Sequence, residues 1–167
     1  MLTYMILVIF PAAMIYAAVS DITTMTISNW ISIALVASFP ILAFAAGMAW
    51  SDIGWHFAAG GVMLALGFAL FAFNIVGGGD AKLLAAAGLW FGWSDLFTLL
   101  VYTALFGAPI CMALLAFRNW PLPARLSDVK WIGRLHDARE GAPYGVAICG
   151  AGLLLYADTP MMKLVGA

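Results

Sequence analysis

No lysine or arginine precedes Lys82, and the chain up to that point is a series of apolar runs separated by short polar breaks. Residues 2–20, 30–50 and 55–76 contain no Asp, Glu, Lys or Arg. A helix that crosses the hydrocarbon layer needs about 20 such residues, within a range of about 17–25. The breaks between the runs are "SDITTMTISN" and "SDIG". Beyond Asp80, residues 81–93 ("AKLLAAAGLWFGW") are rich in helix formers but short, while 96–117 and 144–158 are two further apolar runs. Hydrophobic residues make up 65% of the 167 and charged ones 9%, against about 45–50% and about 25% in a soluble domain. The expectation is an all-α, polytopic integral membrane helix bundle with six transmembrane helices, the fourth short. It forms one membrane-embedded domain over 1–167, with the lipid bilayer as its solvent. Ala18-Val19-Ser20 mimics a cleavage site, but a secretory signal begins with positive charge, so the first run is read as a retained membrane helix.

Five of the seven basic residues, Arg118, Arg125, Lys130, Arg134 and Arg139, lie in the polar segment 118–143. Cytoplasmic loops carry the excess of Lys and Arg, which makes 118–143 a cytoplasmic basic loop. Counting crossings back from it places Asp21 and Asp80 on the cytoplasmic face and Asp52, Asp95 and Asp158 on the other. Within the loop, Leu126, Val129, Ile132 and Leu135 recur every third residue, as in a short helix lying among lipid headgroups. A solvated loop that only sets topology reads equally well. Trp50, Trp55, Trp93, Trp120 and Trp131 fall near the ends of runs, where interfacial aromatics sit.

The chemistry concentrates in "FNIVGGGDAKLL", residues 73–84. Each glycine disfavours helix by about 1 kcal/mol relative to alanine, so Gly77, Gly78 and Gly79 are expected to end the third helix and to permit positive φ or close backbone approach. Asp80 then stands where its carboxylate caps the next helix. Taken alone this is a turn with a capping acid. Ionisable groups at membrane depth are costly and tend to mark function, however, and Asp21 lies on the same face. Asp21 is expected at the end of the first helix, at the negative pole of its dipole, and Asp80 at a positive pole. Two carboxyls brought together share a proton and titrate as a unit. One activates water while the other polarises the scissile carbonyl.

Other chemistries fit less well. The chain has no HExxH, GxSxG or CxxC motif, which argues against zinc, a serine nucleophile elbow and dithiol chemistry. Neither a metal nor a cofactor is expected. His56 and His136 read as structural, and Cys111 and Cys149 as packed thiols within apolar runs. Nothing suggests nucleic-acid binding. The competing reading is a small proton- or cation-coupled transporter or channel subunit with the GGGD break as its ion site. It would predict a second such break in 81–167, and there is none.

"SDITTMTISN", "GGGDAKLLAAAGLWFG" and "GAPYGVAI" occur in that order, and with them the chain resembles the type IV prepilin peptidases of the GxGD group of membrane aspartic proteases. The resemblance implies that Asp21 and Asp80 are the catalytic pair and that Gly77, Gly78, Gly79 and Lys82 belong to the active-site loop. Asn29, Pro143 and Tyr144 fall on family-typical positions of substrate or structural support. It further implies cleavage of prepilin or pseudopilin leaders at the cytoplasmic face of a bacterial inner membrane. Long members of the family carry a cysteine-containing cytoplasmic domain and methylate the new N-terminus. This chain has no room for that domain and resembles the short branch serving Flp-type, tight-adherence pili, so cleavage without methyl transfer is expected. The first box departs from the family in having no Arg between the Asp and the Asn.

Overall fold

A computed structural model describes residues 1–166, in which all regular structure is helical. The elements are α1 (Leu2–Thr24), α2 (Asn29–Ala45), α3 (Trp50–Ala72), α4 (Gly78–Asn119), α5 (Ala124–Ser127), α6 (Lys130–His136), α7 (Tyr144–Leu155) and α8 (Pro160–Leu164), with a 3₁₀ turn at Tyr156–Asp158 between the last two. Four stretches are long and apolar enough to cross a membrane: Leu2–Thr24, Trp50–Ala72, Gly78–Asn119 and Tyr144–Leu164. Asn29–Ala45 is a shorter apolar helix. The outward side chains are themselves apolar, among them Val8, Phe68, Leu105 and Phe97, the last 77% exposed. The protein is a helical membrane bundle whose surrounding solvent is lipid.

α4 holds two of the expected runs, because the chain reverses inside it at Gly92 (φ 68, ψ −173). Asp80 and Cys111 line one cavity, although a straight helix would separate them by about 45 Å at about 1.5 Å per residue. The turn comes earlier than the Ser94-Asp95 break suggests. The 78–91 limb is on the order of 20 Å long, which matches the expected short fourth helix. That backbone region is essentially restricted to glycine, and a Cβ at Gly92 would lie 2.6 Å from the His56 ring.

Helix ends also differ from the sequence expectation. α3 stops at Ala72, ahead of the three glycines. Asn74 adopts the left-handed conformation (φ 55), with Ile75 N–H donating to Leu70 O and Asn74 N–H to Phe71 O, each 2.9 Å. That is a Schellman ending, in which Asn substitutes for the usual Gly. Gly77 instead caps α4 and Gly78 and Gly79 begin it, and none of the three has positive φ.

Lipid supplies no hydrophobic drive between helices, so association rests on close packing. α3 packs antiparallel to the 78–91 limb through small residues. A Cβ at Gly67 would come within 2.9 Å of Ala81, and one at Gly60 within 3.1 Å of Leu89. An aromatic cluster sits within an otherwise aliphatic core: Phe10 stacks on Tyr156 at 4.6 Å and contacts Trp90 at 5.2 Å. The polar tips are satisfied there, Trp90 Nε1–H by Leu35 O (3.0 Å) and Tyr156 O–H by Ile6 O (2.7 Å).

Candidate active site

Asp21 belongs to the last full turn of α1, which runs on to Thr24. Met25 closes it in the left-handed conformation, donating its N–H to Asp21 O at 2.8 Å. The side chain of Asp21 is buried, 5% exposed, and its Oδ2 accepts the Gly145 N–H at 2.7 Å. Gly145 sits in the first turn of α7, which starts at Tyr144 after Pro143 as N-cap. Asp80 is the third residue of α4, 9% exposed, and its Oδ2 reaches back to the Gly77 N–H at 3.2 Å. It is therefore not the N-cap. Gly77 holds that position, and Asp80 supplies the returning half of a capping box. Asp80 Oδ1 is buried with no protein partner, a rare state for a carboxyl oxygen.

The two carboxyls line one cavity of about 440 Å³, together with Tyr144, Cys111, Glu140 and the Gly77 turn. Across it the Gly145 amide bonds Asp21 and the Gly77 amide bonds Asp80. Asp21 lies in the last turn of α1 and Asp80 in the first turn of α4, the opposed helix ends expected. What the expectation lacked is α7, whose first turn brings a backbone N–H to Asp21, a setting that favours an anion. Asp52 lies at the far end of the bundle, in a cavity with Trp55, Trp93 and Pro160.

The glycines act by close approach. A Cβ at Gly79 would stand 3.1 Å from Ile27 Cβ, and one at Gly77 2.9 Å from Asp80 Oδ2. At Gly78 it would meet only the Phe71 ring, at 3.5 Å. Gly145 is tighter still, since a Cβ there would lie 2.7 Å from Ile27 Cδ1 and 2.8 Å from Asp21 Oδ2. Ile27 of the α1–α2 connection thus packs directly on the α4 N-terminus at Gly79 and on the α7 N-terminus at Gly145, around the acids.

Lys82, expected with the active-site loop, points elsewhere. It is exposed, donates from Nζ to Asn29 Oδ1 at 2.9 Å, and lines a separate groove with Asn29. Two residues beyond Asp80 on a helix of 3.6 residues per turn, it faces away from the carboxyls. Asn29, first residue of α2, goes with it. Tyr144 lines the acid cavity and packs its hydroxyl end against Gly107.

The basic segment is more than a solvated loop. It folds as α5 and α6 and packs against α1 and α4. Arg118 donates from Nε to Leu135 O (2.8 Å) and from Nη2 to Glu140 O (3.0 Å) and Gly141 O (2.9 Å). Arg134 Nη2 donates to Thr23 O at 2.8 Å, placing a cation at the negative end of α1. Glu140, Gly141 and Ala142 consequently form part of the acid cavity's wall. Arg118→Ala removes two bonds to that wall and one to α6. Amides of 135–142 are expected to exchange about tenfold faster or more, since charged hydrogen bonds contribute about 1.5–3 kcal/mol when shielded and less when exposed, as two of these are. Hydrogen-exchange mass spectrometry checks this, and unchanged protection would remove Arg118 from its role as clamp.

His56 is buried, bonded through Nδ1 to Leu89 O at 2.7 Å and stacked on Phe39, while His136 Nε2 pairs with Trp120 O at 2.9 Å. Both are structural. Cys149 is core, but Cys111 lines the acid cavity. Among the described residues no group of three His, Cys, Asp or Glu is placed to hold a metal. Sequence reasoning missed Glu140, Cys111 and Gly145. The one available signal was "GAPYG" opening the last run, which marks a helix start and not its contact with Asp21.

Compared with known proteins, residues 8–112 match the family model described as the type IV leader peptidase family. No curated protein and no solved structure matches the chain. The matched span includes Asp21, Asp80 and the glycine turn, and ends before Arg118, Glu140 and the α7 N-terminus.

Proposed function

The chain belongs to the type IV leader peptidase family, and we propose that it is a membrane aspartic endopeptidase in which Asp21 and Asp80 together activate water to cut the leader from Flp-type prepilins and pseudopilins. The observation that carries this reading is the meeting of two buried carboxyls, from helices far apart in sequence, in one cavity with an unpartnered oxygen on Asp80. With one proton between them, the ionised carboxylate takes a proton from water as the water attacks the scissile carbonyl. The neutral carboxyl donates to the developing oxyanion. Collapse of the tetrahedral intermediate then returns a proton to the departing amine.

The substrate is an apolar helix in the bilayer with its leader in the cytoplasm. A crevice of about 200 Å³ leads from Asp80 into the bundle, lined by Leu70, Leu84, Leu100 and Ile148. It suits the first apolar side chain of that helix, with the leader left on the side of Glu140. Arg118 and Arg134 bind the basic segment to the acid-bearing end of the bundle. With positive charge inside, that end faces the cytoplasm of a bacterial inner membrane. Cleavage without methyl transfer is the activity proposed.

Co-expression with a short-leader pilin precursor in a host lacking other leader peptidases tests the function directly. An immunoblot should show the shortened product, and persistence of full-length precursor would overturn the proposal. The glycine turn gives a second check. Gly79→Ala should lower cleavage by about tenfold or more, as misplacements near 1 Å can cost about 10²-fold. Gly78→Ala, with only ordinary contact ahead of it, should stay near wild type. Equal effects from the two substitutions would refute the close-approach account.

A further inference from the structure

On the face of the 78–91 limb turned away from the carboxyls, α2, α3 and this limb enclose a groove of about 610 Å³. Its walls are almost wholly apolar, and no Asp or Glu is among the described residues that line it. The polar groups gather toward one end, in order. At the mouth, Lys82 Nζ donates to Asn29 Oδ1 at 2.9 Å. α2 begins at Asn29, and its N-cap Ser28 makes no side-chain capping bond, leaving first-turn N–H groups available to an anion. One turn further in lies Ser32, 7% exposed, whose Oγ has no protein partner. Past Ser32 the groove is lined by Val36, Phe57 and Leu89.

An ammonium with an amide and a helix N-terminus, then a lone hydroxyl, then an apolar trough, match a phospholipid from phosphate to ester to acyl chain. We propose that this groove is a binding site for an anionic phospholipid. Its phosphate sits on Lys82, Asn29 and the α2 N-terminus, the Ser32 hydroxyl donates to an ester oxygen, and one acyl chain lies along the groove. Charge sets the headgroup preference. A zwitterionic lipid would bring its own cation to a site that holds a lysine and no carboxylate. Basic pockets between membrane helices near the cytoplasmic surface are suited to anionic headgroups, and Lys82 lies at the acid-bearing end of the bundle. The substrate's apolar helix is the poorer occupant, because Lys82, Ala85 and Leu89 lie on the opposite side of the limb from Asp80, Ala81 and Leu84.

Native mass spectrometry of the intact protein, from micelles holding equal phosphatidylglycerol and phosphatidylcholine, tests the site. Wild type should retain phosphatidylglycerol about fivefold over phosphatidylcholine, the scale of one lysine at an anionic surface. Lys82→Gln should abolish that preference, and Lys163→Gln, at the far end of the bundle, should leave it. Gly61→Leu fills the groove where an added Cβ meets nothing within 4 Å, and should reduce retention of both lipids. A preference surviving in Lys82→Gln, or lipid retained in full by Gly61→Leu, would overturn the proposal. Full lipid retention by Gly61→Leu with loss of precursor cleavage would assign the groove to the substrate helix instead. Lipid retention is read without any cleavage step, so an inactive peptidase would leave this result standing.

Discussion

Asp21→Asn and Asp80→Asn should each stop leader removal, with cleavage lowered by about 10²–10⁴-fold, the usual contribution of a general acid or base. The substitution is chosen to spare the fold. Asparagine keeps an oxygen that can accept the Gly145 N–H at position 21 or the Gly77 N–H at position 80. What it removes is the group that ionises and carries the proton. If the two carboxyls act as one unit, the double variant should be no worse than either single one, because members of a catalytic unit are grossly non-additive. The measurement is single-turnover cleavage of a purified precursor, with thermal unfolding recorded in parallel. Undiminished cleavage by either folded variant would sink the dyad. A double variant slower by the product of the single effects would mean that the acids act in separate steps.

The second large effect is on folding. Gly92→Ala should destabilise the bundle by about 1–3 kcal/mol from backbone conformation alone, since φ 68 with ψ −173 is essentially a glycine region. The new methyl would also meet the His56 ring at 2.6–3.0 Å. His56 cannot withdraw freely, as it is bonded to Leu89 O and stacked on Phe39. Gly61→Ala is the matched control, a helical glycine with open space before it, and should be neutral or slightly stabilising because alanine favours helix. Steric trapping or denaturant unfolding in mixed micelles would compare them. Equal stability of the two variants would show that the reversal at Gly92 tolerates a side chain.

Much of the architecture is legible in the run lengths, because lipid forces backbone polar groups to pair within helices and leaves little choice of element. The short fourth run reads as a separate limb, and it is one. Its turn is not legible, since Ser94 and Asp95 look like a break while Gly92, amid apolar neighbours, makes it. The end of α3 misleads for a similar reason. Three glycines are the obvious helix breaker, yet Asn74 ends the helix, and Gly77 and Gly79 serve close approach at the next helix start. The role of Lys82 is unreadable because sequence proximity to Asp80 says nothing of helix phase until the start at Gly78 is known.

The sequence by itself determined that the chain lives in lipid, that its cations gather near one end, and that Asp21 and Asp80 belong to the same face. Those properties follow from transfer energetics and crossing parity, which are sums over the chain and need no contacts. Only the tertiary structure decided how the acids are held. α7 enters from the far end of the chain to place the Gly145 N–H on Asp21, and Arg118 draws Glu140 to the cavity wall. Such contacts join residues more than a hundred positions apart in one case, and they depend on sub-ångström clearances at Gly79, Gly92 and Gly145. No local pattern encodes clearances of that kind, because the neighbour that creates each one lies elsewhere in the chain.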